Sequence, residues 1–139
     1  MPWEPDEKEG RYILALVIYT FFIIYMAVLS RGVAKQAYIK MDLLQCYLQP
    51  SDISYRDVLV NIVGFIPVGV LVGVMSRRHR VAKALLAGVI VSMAIEGSQL
   101  IWKKGVFDVD DIFNNAVGAV IGGVIVVAVI DYARMLYVK

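Results

Sequence analysis

Glu96 and Gln99 interrupt a long apolar run, Asp108, Asp110 and Asp111 follow it, and Asn114 and Asn115 open the next. Earlier, Asp57 and Asn61 stand at i and i+4, the spacing that Asp111 and Asn115 repeat. On a helix each pair shares one face. Carboxyl and carboxamide groups in this pattern offer three chemistries. Glu96 or Asp111 has the chemistry of a general acid or base. Asp57, Asp108 and Asp111 suit oxygen-only coordination of a divalent cation. The whole set, Asp57, Asn61, Glu96, Gln99, Asp108, Asp111 and Asn115, suits hydrogen bonding to the polar part of a ligand.

An ionised carboxylate inside a bilayer span costs on the order of 3 kcal/mol on insertion scales, so Glu96 needs a partner or a proton. Gln99, one turn on, can hydrogen-bond it. A protonated Glu96 clasping neighbouring helices satisfies the same requirement with no role beyond packing. Asp57 and Asp108 have a local reading too: Ser54 to Asp57 has the form of a capping box, and Asp108 to Asp111 places negative charge at the start of a helix. Capping leaves Asn61 and Asn115 unexplained, because they lie deeper among apolar residues and must find hydrogen bonds.

Other chemistries fail on residue type. With Cys46 as the only cysteine and His79 as the only histidine, neither an internal disulfide nor a Cys/His zinc site can be assembled. His79 falls in the basic stretch SRRHRVAK, away from the acids, so no Ser-His-Asp or Cys-His arrangement is available. Asp108 to Ile112 departs from the EF-hand loop, which has no glycine here at its sixth position. No cofactor is implied. A net charge of +2 gives no reason to expect nucleic acid as a partner.

The elements that must position these groups are membrane helices. Sixty per cent of the 139 residues are hydrophobic and the mean hydropathy is +0.71, more than a water-soluble domain of this size can hide. Four apolar runs, 12–29, 58–75, 84–102 and 112–130, reach the length of about 18 residues needed to span. The expected fold is all-α: a single domain over 1–139, an integral membrane bundle of four transmembrane helices. Val33, Ala37, Met41, Leu44 and Leu48 recur at helical spacing, which predicts an amphipathic interfacial helix over 33–48, between the first and second spans. The first run follows an acidic segment and is long for a signal peptide, so it reads as a retained anchor. Pro67 should kink the second span and free carbonyl groups near Val63 and Gly64. Gly69/Gly73 and Gly118/Gly122 let helices approach closely and offer faces for a homodimer.

Dense positive charge at Arg77, Arg78, Arg80 and Lys83 favours a cytoplasmic second connection. Four spans then place both termini in the cytoplasm and gather the acids and amides near the outer leaflet.

Read in order, Asp57-x-x-x-Asn61-x-x-x-Phe65-x-Pro67-x-Gly69, then Glu96-x-x-Gln99, then Phe107-Asp108-x-Asp110-Asp111-x-x-x-Asn115-x-x-Gly118-x-x-x-Gly122, resembles the VanZ-like family over roughly Asp57 to Gly123. The resemblance implies a small multispanning protein of the bacterial cytoplasmic membrane with a role in the cell envelope; the family's namesake contributes to teicoplanin resistance. The family usually carries an Arg shortly before the FDxDD segment. Here Gly105 and Val106 hold that place, and Lys103 and Lys104 precede them as point charges without bidentate geometry. The expected partner is a membrane lipid or a lipid-linked envelope precursor. Two other expectations stand beside recognition: an enzyme acting on a lipid-linked substrate through Glu96 and Asp111, and a structural bundle supporting another membrane protein.

Overall fold

The computed structural model describes residues 7–29, 38–41, 48 and 55–137. Helix α1 is Glu7–Ile24, continued by a π-helical turn over Tyr25–Leu29; α2 is Tyr55–Met75, α3 Arg80–Ile101 and α4 Val109–Tyr137. All four are long and apolar enough to cross a membrane, with mean hydropathies from 1.7 to 2.5. At 1.5 Å per residue the 21 residues of α2 run about 32 Å, the thickness of a bilayer core. The fold is the all-α bundle expected of a multi-pass membrane protein. Side chains such as Ile18, Phe21, Leu86 and Val129 point outward and are more than half exposed, as hydrocarbon solvent permits.

The chain is held antiparallel by short turns. After α2, Arg80 donates through a guanidinium nitrogen to the Gly73 carbonyl at 2.6 Å, folding α3 back, with His79 in the left-handed region at φ 54°. The end of α3 is a Schellman closure: Lys103 N–H donates to Leu100 O at 3.2 Å and Lys104 N–H to Gln99 O at 2.7 Å. Lys103 occupies the left-handed position at φ 53°, where glycine is usual. Glu9 lies 3.8 Å from Arg77, so the start of α1 shares the end of the bundle with the basic turn.

Helix α4 is the centre of packing, against α2 on one side and α3 on the other. A Cβ on Gly69 would strike the Ala119 carbonyl, one on Gly118 the Ile62 carbonyl, and one on Gly122 the Ile66 carbonyl. Gly88 of α3 also faces α4 closely, since its Cβ would lie 2.6 Å from that of Ala119. Gly69, Gly73, Gly118 and Gly122 are therefore buried within the chain, and a homodimer through those stripes would have to use faces α2 and α4 already share. Helix α1 packs mainly on α2; only 6% of its span is buried, against 33% for α3 and α4. Val28, Phe65, Val68 and Ile95 form the apolar core that α1 helps to close.

Helix α2 stays helical through Pro67, and the Tyr19 hydroxyl donates to the Gly64 carbonyl at 2.9 Å, supplying a partner a turn before the proline. Of the interfacial helix expected over 33–48, only residues 38–41 and 48 are described. Most of that stretch lies outside the described residues, and Ile39–Lys40 is extended as β1, in parallel register with β2, Phe107–Asp108. Phe107 N–H donates to Tyr38 O at 3.0 Å, so pairing across the chain takes the place of helical spacing there.

Candidate functional site

A cavity of about 330 Å³ lies between α1 and the other three helices. Helix α1 contributes Phe22 and Ile23, and the π-helical turn after it Met26 and Ala27, to an apolar wall completed by Val60, Phe65 and Ile95. Facing it are Asn61 from α2, Glu96 and Gln99 from α3, and Asp111 and Asn115 from α4, with the Tyr19 ring at one side. Glu96 and Gln99 fall in the last two turns of α3, and Asp111 and Asn115 in the first two of α4, so helical spacing alone brings these side chains to one end.

Their hydrogen bonds tie three helices together. Asn61 Nδ2 donates to Asp111 Oδ1 at 2.6 Å, joining α2 to α4. Asn115 Nδ2 donates to Ser92 Oγ at 2.7 Å, joining α4 to α3. Glu96 is 2% exposed, and its Oε2 accepts the Asp108 N–H at 3.1 Å, drawing the connection between α3 and α4 over the carboxylate. The other end of the Asn115 amide differs: Oδ1 is buried and accepts no hydrogen bond. Burying such an acceptor unpaired costs about 1–3 kcal/mol.

Five of the residues singled out by spacing, Asn61, Glu96, Gln99, Asp111 and Asn115, thus share one cavity. Asp108 stands just behind it. Its Oδ1 accepts the Asp110 N–H at 2.9 Å, the bond of a helix cap, and its Oδ2 pairs with Lys40 Nζ at 3.1 Å. Asp57 lies apart, exposed in the first turn of α2. The cation site conceived from Asp57, Asp108 and Asp111 is not formed, and among the described residues no three His, Cys, Asp or Glu side chains gather to hold a metal ion. Asp110 and Asn114 are buried at the start of α4 without reaching the cavity.

Tyr19 and Ser92 escape a reading of the acids and amides. Ser92 precedes Glu96 by four residues, so a shared face was its one signal. Tyr19 gives none, being an aromatic in an aromatic-rich span.

A larger cleft, about 450 Å³, opens at the opposite end around Arg77, His79, Arg80, Asp131 and Arg134. Arg77 and Arg134 are solvated there, the ordinary state of basic residues at a membrane surface, whereas the polar groups of the smaller cavity are withdrawn into the bundle. The smaller cavity is the stronger candidate.

No protein of curated function and no solved structure matches the chain. A family model does, that of VanZ/LLP1, over residues 11–130. The match takes in α1 as well as the three helices that carry the acids and amides, and the chain belongs to the VanZ/LLP1 family.

Proposed function

We propose that this protein sits in the bacterial cytoplasmic membrane with both termini cytoplasmic, and that its cavity recognises an envelope component at the outer leaflet. The component is a lipid-linked wall intermediate or a polar lipid head group. One observation carries the reading: a cavity with an apolar wall on α1 and acids and amides from α2, α3 and α4 opposite has the two-sided character of an amphiphile. The basic turn at the other end of the bundle supports the orientation. Recognition is preferred to catalysis because Ser92, the hydroxyl bonded to the polar cluster from α3, is fully buried and already bonded to Asn115, which leaves it poorly placed as a nucleophile.

The test replaces Glu96 by Gln and, separately, Asn115 by Leu, then compares membrane insertion, melting temperature and an envelope phenotype such as teicoplanin susceptibility. Both variants should insert normally and lose the phenotype. An unchanged phenotype with a lowered melting temperature would reduce the polar cluster to a fastening between helices.

A further inference from the structure

The cleft at the far end of the bundle from the polar cavity gathers three guanidinium groups around one recess of about 450 Å³. Arg77 and Arg80 reach it from the turn between α2 and α3, and Arg134 from the last turn of α4. Among the described residues, Asp131 is the one acid that lines it. Positive charge is ordinary in a cytoplasmic connection, which accounts for the number of basic residues here. It does not account for their grouping: Arg78 and Lys83 belong to the same basic stretch and are exposed, yet neither lines the cleft.

Each of the three guanidinium groups keeps donors for a ligand. Arg80 is half-buried and held by the bond to the Gly73 carbonyl, which uses one of its five N–H groups. Arg77 and Arg134 are exposed, and they pair with Glu9 and Asp131 at 3.8 Å, beyond hydrogen-bond length; exposed pairs of that kind hold weakly. At this end Arg11, Arg77, Arg78, Arg80, Lys83 and Arg134 outnumber Glu7, Glu9 and Asp131. Counted along the sequence, Glu4 and Asp6 are matched by Lys8 and Lys139, so the excess stays positive. His79 gives α3 no side-chain cap, and Arg80, Val81 and Ala82, which open that helix at its positive end, line the same cleft.

From this we infer that the cleft binds the phosphate of an anionic membrane lipid, with Arg77, Arg80 and Arg134 around its oxygens and Val81, Val127 and Ile130 against the adjoining glyceryl and acyl carbons. An arginine fork meets two phosphate oxygens at once, where an ammonium meets them as a point charge. Three guanidinium groups exceed the single charge of a phosphodiester, so the match holds with Asp131 still beside Arg134. The volume is that of roughly fifteen waters at liquid density, enough for a glycerophosphate. The apolar side of the lining favours a lipid over a free phosphate ester, which carries the same group without the chains. Lying at the opposite end from the polar cavity, this site stands or falls apart from it.

The purified full chain, delipidated in a neutral detergent, is titrated with short-chain phosphatidylglycerol, with phosphatidylcholine of the same chains and with glycerol 3-phosphate, and binding is read by native mass spectrometry. Two double variants remove the same charge: Arg77→Gln with Arg134→Gln in the cleft, and Arg78→Gln with Lys83→Gln beside it. Helical ellipticity checks that both fold, and Arg134→Gln alone, with a partial loss expected, carries the test where the cleft variant does not. The parent should bind phosphatidylglycerol about tenfold or more tightly than phosphatidylcholine, the scale of one charged hydrogen bond. The cleft variant should lose that preference and the neighbouring variant keep it. Glu96→Gln should bind as the parent does, and a loss there would overturn the placement. Glycerol 3-phosphate that binds as tightly as the lipid, and fails to in the cleft variant, upholds the phosphate chemistry and assigns it to a soluble ester. Equal loss in both double variants overturns the site, because diffuse surface charge then accounts for the binding. Equal affinity for the two lipids, or no binding of any probe, overturns it as well.

Discussion

Replacing Gly118 by Ala should disturb the cavity through packing alone. The added Cβ would strike the carbonyl oxygen of Ile62, a backbone atom that cannot swing aside. Ile62 follows Asn61, and Asp111, Asn115 and Gly118 lie along one stripe of α4, so separating the helices here pulls directly on the 2.6 Å bond between Asn61 and Asp111. Alanine gains about 1 kcal/mol over glycine in helix propensity, while overpacking costs about 1–3 kcal/mol. Loss of the interhelical bond adds about 0.6 kcal/mol, the average in a membrane bundle. Gly118→Ala should therefore be destabilised by about 0.6–2.6 kcal/mol. Gly97, with nothing within 4 Å of its Cβ, supplies the control on α3, and Gly97→Ala should be about 1 kcal/mol more stable than the parent. The assay is unfolding in detergent followed by helical ellipticity, with the parent, Gly118→Ala and Gly97→Ala measured side by side. Equal stability of the two variants would refute the close approach of α2 to α4 at the site.

Two further outcomes follow from local geometry. Ser92→Ala removes the acceptor of Asn115 Nδ2 and leaves both ends of that buried amide unpaired, so it should cost about 1–3 kcal/mol; in an Asn115→Leu background the same change should cost less, read as a double-mutant cycle in the unfolding assay. Lys103→Gly relieves a left-handed residue in the α3 closure and should raise stability by about 1 kcal/mol in the same assay, without altering the helical content.

The spans were legible because hydrocarbon demands some 20 apolar residues in a row, a signal that local sequence carries by itself. Asn61, Glu96, Gln99, Asp111 and Asn115 were legible for a related reason: one polar group per turn at a span's end can converge only there. Asp57 fits the same rule yet stays outside, because one turn closer to the helix start its side chain has left the bundle. The two serines of α3 show where spacing stops. Ser98 Oγ donates to its own helix at Ala94 O, 2.6 Å away, while Ser92 Oγ accepts from α4, and nothing in their neighbours tells them apart. The pairing of Ile39 with Phe107 was hidden in the same way, since partners 68 residues apart are selected by tertiary contact and not by local spacing.

The thin attachment of α1 bears on how the protein is made. It is synthesised before α2, α3 and α4, with a mean hydropathy of 2.0 that suits it to lie alone in lipid until they arrive. Because α2, α3 and α4 supply their own mutual contacts, docking of the first helix can come last. The cavity is then closed only when the remainder of the molecule is already assembled.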